Sequence, residues 1–558
     1  MSLFGGKSHR NNKEVCMNKH YYCFSALMSL MVTVLQAQEP TITTAHEPLE
    51  DLGSITLSTL PILERFKGFH AVQAIQSIPQ NLPVDTQEII ASYKENSNTA
   101  QPTDDVTIMR QPVVSSPPAS LTFEALDDTL TVIPPDTMGA VGPNHIMTTL
   151  NDRIRIHNKI GGILLTLPIA SFWQTTSALF DPKITYDPFS NRWTFVTLSN
   201  PASSSSRILI AVSQTNDPTA GWFRFALAAD GSGASWADFP SLGFNSKWII
   251  VQTNMFSVSS GGFTGSHIYV FNKANLYAGI TGAIRFFNLT GFGATQAPAM
   301  TYDNANPNLY LLQNWNGNAG GAGYLRLYTI SGAIGSEILT SPGFIAIGNP
   351  WASSHPIIDG GFAPQLSSTR RIMNNDSRML SITFRNGSIW AAQTVFLPAT
   401  SPTHSAVQWL QINPTGAIQQ FGRIEDPAAN LNSGTFFAFP SIAVNTANDV
   451  LVGYSFFNPL TYASSGYSFR SHTDPINTLR GTAILRTGLD TYVKDFGSGT
   501  VRWGDYSNTV VDPNGTDFWT IQESADLHSI DFQSRWVTWW GTISPLLAIP
   551  PLAPLADI

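Results

Sequence analysis

One short pattern recurs seven times along this chain. It consists of a small residue or proline, a short apolar strand, a turn that contains Gly, Asp or Asn, and a second apolar strand. The copies start about 45 to 75 residues apart, which is enough sequence for a four-stranded antiparallel sheet with its loops. They occupy residues 137–151, 182–200, 240–254, 298–315, 370–386 (a degenerate copy), 440–457 and 507–524. Such a repeat restricts the chain to architectures that arrange equivalent β units side by side.

Further apolar strands between the copies, such as "RILIAVSQT" and "SHIYVFNK", complete each unit, and no amphipathic helix interrupts them. The sequence therefore predicts an all-β protein, a seven-bladed β-propeller of four-stranded antiparallel blades over residues 120–545. The last unit contains only three strands, so we expect residues 120–132 to supply the fourth and close the ring. Two packed β-sandwich domains are the alternative, since they also give short strands with turn signals.

The first 38 residues are typical of a signal peptide. Lys13 and Lys19 precede the apolar run 24–35, and the small residue Ala37 follows it. An uncleaved anchor is the alternative, and Met17 is a second candidate start. We expect a secreted or periplasmic/extracellular protein without a transmembrane segment after the signal, because no later run approaches the length that spans a bilayer.

The regions on either side of the repeats lack sustained periodicity. Residues 39–119 contain Pro, Thr, Ser and Gln-rich pieces, which predict an irregular spacer or pro-segment with one short helix at 84–96, capped by Asp85 or Thr86. Residues 546–558 form a Pro-rich C-terminal tail. These boundaries leave 120–545 as the folded domain.

Composition excludes several classes of function. Charged residues make up 12% and the net charge is -8, without the concentrated basic face that nucleic-acid binding requires. Cys16 and Cys23 both lie in the predicted signal region, so the mature chain has no disulfide, thiolate metal site or cysteine nucleophile. A large exported protein without disulfides indicates a bacterial source, and we expect a monomer.

Each repeat also places an Asp or Asn in its hairpin turn. Because these side chains bond the backbone of their own turn, the pattern predicts a structural role. The residues are Asp187, Asn245, Asp303, Asn445 and Asp512. Calcium is the alternative at "DPNGTD" and "DNANPN", but neither has the spacing of a calcium loop. We therefore expect no cofactor and no metal.

A second acidic set lies at the start of the strands that should be innermost. These residues are Asp136, Asp181, Asp238 and Asp505. With Arg502, Tyr506 and the indoles of Trp236 and Trp503, they form the candidate ligand site at the channel mouth, where a sugar would stack and hydrogen-bond. His355, in a loop outside the repeat, is a further candidate. The structural alternative is that the aspartates bond backbone amides of neighbouring blades.

Four segments carry a resemblance to a known group of proteins. They are "PPDTMGAVGPNH" (134–145), "DPKITYDPFSNRW" (181–193), "PSIAV…DVLVGYS" (440–455) and "RWGDYSNTVVDP…FWTIQE" (502–523), and they resemble secreted, largely uncharacterised bacterial β-propeller proteins. The resemblance covers about 130–545 and implies fold and secretion more than activity.

Sialidases offer a more distant analogy. No complete copy of their S-x-D-x-G-x-x-W box occurs in this sequence. Their arginine triad, tyrosine nucleophile and acid cannot be matched residue by residue. The available residues are Arg371, Arg378, Arg385, Arg502 and Tyr506.

Three functions follow as hypotheses. The first is a secreted binding module that recognises carbohydrate or a cell-surface protein at the channel mouth, as the aromatic-rich composition of low charge and the absence of a recognisable catalytic set indicate. The second is a glycosidase or polysaccharide lyase that uses the channel-mouth carboxylates. The third is a structural surface protein. Motifs for hydrolases of the G-x-S-x-G and H-E-x-x-H types and for phosphate-binding loops are absent.

Overall fold

The computed structural model describes residues 41–60, 71–72, 75–90 and 114–548. All of them belong to one compact unit, Pro40–Ile558. The predicted signal peptide, Met17, both cysteines and most of the C-terminal tail lie outside the described residues. Among the residues described, no helix is long and apolar enough to cross a membrane.

The protein is all-β, and its strands form antiparallel sheets in which consecutive strands are neighbours. The β-branched and aromatic residues of the repeats favour extended backbone, and Gly, Asn and Asp end each strand. We number the sheets in chain order. Sheet 1 contains Met138–Val141, His145–Thr149, Arg153–Asn158 and Ile163–Pro168. Sheet 2 contains Leu179–Asp187, Arg192–Ser199, Arg207–Ser213 and Gly221–Ala228. Sheet 3 contains Ser235–Phe244, Trp248–Ser257, Phe263–Asn272 and Ala283–Asn288.

The same arrangement continues to the end of the described chain. Sheet 4 contains Ala297–Pro298, Leu309–Ala319, Ala322–Ala333 and Ser336–Ile347. Sheet 5 contains Met379–Arg385, Ser388–Leu397, His404–Ile412 and Ile418–Ile424. Sheet 6 contains Phe436–Val444, Val450–Asn458, Thr461–Arg470 and Ala483–Arg486. Sheet 7 contains Asn508–Val511, Phe518–Asp526, Arg535–Ile543 and Leu121–Asp127.

Shorter elements connect these sheets. The strand Met300–Thr301 pairs in parallel with both Ser235–Phe244 and Met379–Arg385. Two further pairs are Ala71–Val72 with Val132–Ile133 and Ala363–Gln365 with Ser368–Ile372. The helices of the described residues are Ile169–Trp173 and Lys273–Tyr277, with 3-10 turns at Leu57–Thr59, Thr86–Glu88 and Pro545–Ala548.

The first strands of the sheets contact one another in a closed cycle. The first strand of each sheet contacts that of the next, from sheet 1 through sheet 7, and the first strand of sheet 7 contacts that of sheet 1. Buried apolar side chains fill the space between successive sheets, as between sheets 2 and 3. The first strands therefore surround a common axis.

The predicted pairing between the two ends of the repeat region is confirmed. Leu121–Asp127 pairs antiparallel with Arg535–Ile543, with Leu121 opposite Thr542 and Asp127 opposite Val537. Because more than 400 residues separate the partners, this pairing joins the last sheet to the start of the domain.

The prediction of an irregular spacer at 39–119 is wrong in part. Glu50–Thr56 pairs as a fifth strand with the outer strand of sheet 2, and Thr43–Pro48 pairs with that of sheet 3. An outer strand has unpaired N–H and C=O groups that can bond any extended segment, even one without periodicity. Asp85 caps residues 86–88 through the Gln87 amide, but Ile89–Ile90 is then extended and pairs with sheet 4. The predicted helix is thus a single turn within the described residues.

The degenerate fifth copy, 370–386, is also not one hairpin. Ser368–Ile372 pairs with Ala363–Gln365 outside sheet 5, and only Met379–Arg385 belongs to the sheet. Asn375 between them has φ 58°, a left-handed conformation that Asn tolerates and that interrupts the strand.

Candidate functional site

The structure brings the four predicted aspartates together where the first strands begin. Asp136 and Asp181 are completely buried, and Asp238 and Asp505 are 6% and 5% exposed. Burial is the largest effect on the pKa of Asp136 and Asp238, and the charges of Asp181 and Asp505 raise both pKa values further. We call these four residues, with Arg502 and Tyr506, the acidic centre.

Hydrogen bonds from the acidic centre run between sheets. Asn151 of sheet 1 donates to Asp136 Oδ2 (2.7 Å) and accepts from the Asp181 amide of sheet 2 (2.8 Å). Asp181 Oδ2 in turn accepts from the Phe239 amide of sheet 3 (3.1 Å), and Asp136 Oδ1 accepts from the Asp505 amide (3.2 Å). Two of the four aspartates therefore bond backbone amides of neighbouring sheets, as the structural alternative expects.

Two of these donor amides, those of Asp181 and Phe239, belong to residues with a left-handed backbone. Asp181 and Phe239 have φ of 54° and 52°, and so do Thr295 (56°) and Phe439 (55°) further along the chain. Asn254 and Thr394 bond the amides of the latter two. At four of the boundaries between successive sheets, the first strand thus starts with a left-handed residue whose amide donates to a side chain of the preceding sheet. This hydrogen bond stabilises a backbone conformation that bulky residues rarely adopt.

Arg502 is the main counter-charge of the acidic centre. Its guanidinium binds Asp505 in a bidentate pair (3.0 and 2.9 Å), and Asn375 donates to the same carboxylate (2.7 Å). Although burial opposes it, Arg502 lowers the pKa of Asp505. Burial, and then the neighbouring carboxylates, hold the pKa of Asp136 and Asp238 well above the usual range. The centre therefore combines an ionised carboxylate with carboxyls that retain their protons, the division of roles that acid/base chemistry uses.

The predicted aromatic platform is not available to a ligand. Trp503 is 1% exposed, packs edge-on against Phe457 and Tyr492, and donates its indole N–H to Ser455 Oγ (3.0 Å). Trp236 is 5% exposed and packs between Phe180 and Phe256. The prediction that these indoles stack on a sugar is wrong, because both fill the space between sheets.

His355 lies beside the acidic centre and not within it. Its ring stacks on Phe362 at 4.6 Å and lies near the backbone of Asn375, which bonds Asp505. Burial lowers the pKa of His355. The ring is therefore a packed group at the edge of the centre.

Three charged residues close to the centre were not assigned to the site from the sequence. Glu523 and Lys183 are 2% and 6% exposed, and the guanidinium of Arg378 lies 4.2 Å from the ring of Phe239. Arg378 is paired with Asp376 in a bidentate geometry. The repeats contained a sign that Lys183 is unusual. In copy two the sequence "DPK" has lysine at the position where copies three and six have the serine of "FPS". No such sign marked Glu523, because it lies on the second strand of sheet 7 and not at the start of a first strand.

A second opening lies at the other end of the first strands, where they turn into the second strands. A cavity of about 480 Å³ is lined there by the hairpin turns of sheets 2, 5, 6 and 7, by the end of the first strand of sheet 1 and by the segment 302–303. We call it the turn mouth. The rings of Phe189 and Tyr302 and the guanidinium of Arg385 line it, together with Asn386 and Asn514. The sequence predicts a structural role for these turns and contains no signal of the cavity that they form together.

Hydrogen bonds between the turns fix the rim of the turn mouth. Asp303 accepts from the amides of Asn386 (2.9 Å) and Gly387 (2.7 Å) in the turn of sheet 5. Asn386 donates to Asn448 Oδ1 (2.8 Å) of sheet 6, and Thr446 donates to the Gly515 carbonyl (2.8 Å) of sheet 7. The rim is thus built of turns that are bonded to one another.

The predicted Asx turns are confirmed at four of the five positions. Asp187, Asn245, Asn445 and Asp512 each accept amides of their own turn. Asp303 is the exception, because its carboxylate bonds the turn of the neighbouring sheet.

The aspartate oxygens of both candidate calcium segments accept hydrogen bonds from protein groups. Asp512 accepts from the Asn514 amide and from the Trp519 indole and is paired with Lys159. Within the part of the chain that the structure describes, no three His, Asp or Glu side chains form a group that could hold a metal ion.

Arg385 is the cation of the turn-mouth lining, and its side chain is half-buried. Its guanidinium lies 5.4 Å from the centroid of the Tyr302 ring, and no described carboxylate forms an ion pair with it. Phe189 is 43% exposed. The cavity therefore offers an aromatic face, guanidinium donors and amide groups, the chemistry that recognises polyhydroxylated ligands.

No protein-family model and no curated protein matches this chain. Solved structures that resemble it include a protein of unknown function from Dyadobacter fermentans, at 9% identity and TM-score 0.35, over 65% of this chain and 94% of that one. A Trypanosoma rangeli sialidase is 10% identical with TM-score 0.33, over 70% and 56% of the chains. A xylan β-1,4-xylosidase from Bacillus halodurans is 9% identical with TM-score 0.28, over 73% and 98%. At these identities and TM-scores the similarity does not indicate a function, so the function has to be inferred from the residues of this chain.

Proposed function

We propose that this chain is a seven-bladed β-propeller that binds carbohydrate in the turn mouth. The closed cycle of contacts among the first strands supports the propeller, because two separate β-sandwiches would not bring every first strand to one axis. The pairing of Leu121–Asp127 with Arg535–Ile543 supports closure of the ring by the last blade. The expected export and monomeric state remain part of this proposal.

The observation that carries the binding function is the turn-mouth cavity itself. Its volume of about 480 Å³ lies in the range of small-molecule sites. Its bonded turns preorganise the rim, so that a ligand does not have to order it. By contrast, the aspartates of the acidic centre are buried and already hydrogen-bonded. A ligand reaches the turn mouth without displacing packed side chains.

Carbohydrate is the ligand class that fits this lining. A sugar presents an apolar C–H face to an aromatic ring and hydroxyls to amide and guanidinium groups. Phe189 supplies the accessible ring and Arg385 the donors. A cell-surface glycoprotein would present the same chemistry, so a glycan and a cell-surface partner are both within this proposal.

A glycan array that includes neutral and acidic glycans tests the proposal. We expect wild-type protein to bind at least one glycan class, and Phe189→Ala and Arg385→Met to lose that binding. Phe532→Ala is the matched control, because Phe532 is also an exposed turn residue (86%) but lies outside the cavity. Binding that persists in both turn-mouth variants would move the site elsewhere. No binding to any glycan by folded wild type would refute the ligand class and favour a structural surface protein.

A glycosidase or lyase at the acidic centre is the second candidate. The specific observation in its favour is that the pKa of Asp238 is raised while that of Asp505 is lowered, which suits a general acid beside an ionised carboxylate. We expect any turnover of chromogenic glycosides to fall at least about 100-fold in Asp238→Asn, the lower end of the contribution of general acid catalysis. Turnover that is unchanged in this variant would exclude the acidic centre as the active site.

A further inference from the structure

Lys183 differs from the other buried lysines of the described chain in its surroundings. Lys273 is buried against Asp187, 2.8 Å from its carboxylate, and Lys494 is buried against Asp128. Lys183 is as buried as these, at 6% exposed. No hydrogen bond or ion pair joins its Nζ to another described group, and Nζ lies over the ring of Tyr506. Its amine is the one of the three that no carboxylate neutralises by direct contact.

The side chain of Lys183 lines a cavity at the common axis. The lining comes from the first strands of the sheets, with apolar residues such as Leu242, Leu380 and Pro440, and with Ser381 and Ser507 as polar groups. The cavity measures about 60 Å³, room for about four to six water molecules. A compound of a few heavy atoms can therefore reach the amine.

The state of the amine follows from opposing effects. Burial disfavours the ammonium and lowers the pKa of Lys183 to about 7, although Asp181, Asp136 and Asp505 oppose the shift. The ring faces of Tyr506 and, at 5.9 Å, Phe239 also favour the cation. Since burial is the larger effect, a substantial fraction of Lys183 carries a free lone pair at neutral pH. Desolvated lysines of this kind are nucleophiles toward carbonyl carbon.

We propose that Lys183 is a covalent attachment site for small uncharged aldehydes, through an imine. The Nζ lone pair forms a C–N bond with the carbonyl carbon, the π pair moves to oxygen, and a proton passes from nitrogen to that oxygen. The resulting carbinolamine loses water to give the imine. The ionised carboxylate of Asp505 and the apolar side chains of the cavity lining disfavour an anionic carbonyl compound, which restricts the class to uncharged aldehydes.

Reductive trapping on the full-length protein tests this site. Wild type is incubated with limiting glycolaldehyde or glyoxylate at pH 7.5 with cyanoborohydride, and adducts are mapped by peptide mass spectrometry. The hydride converts the imine to a stable secondary amine. We expect Lys183 to be labelled by glycolaldehyde at least tenfold faster than Lys273, Lys494 and the surface residue Lys247. We expect the rate at Lys183 to be half-maximal near pH 7.

Two comparisons make the result decisive. Lys183→Met, shown to be folded by circular dichroism, should lose this adduct and keep the slow labelling of the other lysines. Labelling of Lys183 that is slower than that of Lys247, or a rate that still rises above pH 9, would overturn the proposal. Equal labelling by glyoxylate would overturn the restriction to uncharged aldehydes. Because no glycan takes part, failure here would leave the turn-mouth proposal unaffected.

Discussion

At the scale of single residues, the acidic centre and the charged residues close to it contain more carboxyl groups than their cations pair directly. Glu523 is buried, and neither of its carboxyl oxygens has a hydrogen-bond partner in the described structure. Burial and then the charges of Asp136 and Asp128 hold its pKa well above the usual range. A buried acceptor without a partner costs free energy, so Glu523 is a destabilising residue whose effect depends on pH.

Glu523→Gln should therefore stabilise the protein, and more so at high pH. In wild type the folded state retains the proton that the unfolded chain releases near its ordinary pKa, so stability falls as pH rises from there toward the raised pKa. Glutamine has nearly the same shape and no charge to desolvate. We expect a gain of about 1 to 3 kcal/mol in the free energy of unfolding at pH 8 and a smaller gain at pH 5, measured by denaturant unfolding.

The exposed residue Glu50 provides the control. Its carboxylate is 55% exposed beside Arg207, and surface pairs of this kind contribute little. Glu50→Gln should leave the free energy of unfolding nearly unchanged at both pH values. A Glu523→Gln variant that is less stable than wild type at pH 8 would contradict the raised pKa.

At the scale of elements, the sequence predicts what local rules determine. The Asx turns at Asp187 and Asp512 follow from side chains that bond their own backbone. Asp303 is different because its partners, Asn386 and Gly387, come from another sheet. The extra strands Thr43–Pro48 and Glu50–Thr56 also depend on distant partners, and no repeat marks them. Pairing between segments that are far apart in the chain is the feature that is hardest to predict from a single sequence.

The two kinds of N-terminal strand should contribute differently to stability. A chain that starts at residue 114 loses Thr43–Pro48, Glu50–Thr56 and Ile89–Ile90, which pair with outer strands, and Ala71–Val72, which pairs outside the seven sheets. Because each sheet keeps its own four strands, we expect this chain to unfold cooperatively with a moderately lower Tm. A chain that starts at residue 129 also loses Leu121–Asp127 and leaves the edge of Arg535–Ile543 unpaired. We expect this second chain to aggregate or to lack a cooperative transition in thermal unfolding. Equal melting of the two truncated chains would contradict a closing role for Leu121–Asp127.

At the scale of the whole molecule, the sequence predicted an all-β chain and the convergence of Asp136, Asp181, Asp238 and Asp505. It did not predict their burial, or that of Trp236 and Trp503, because exposure depends on how sheets pack against one another. It also missed the turn mouth, since a cavity formed by turns of many sheets has no local signature. The repeat thus indicated where groups converge, and packing determined which of them a ligand can reach.

The affinity of one bound glycan for wild type, Phe189→Ala and Phe532→Ala, measured by isothermal titration calorimetry, tests the central claim most directly. Loss of a stacking ring in the turn mouth removes about 1.5 kcal/mol or more of contact, which corresponds to at least about a tenfold weaker Kd. We predict that weakening for Phe189→Ala and an unchanged Kd for Phe532→Ala. Equal affinities in all three proteins would contradict carbohydrate binding in the turn mouth.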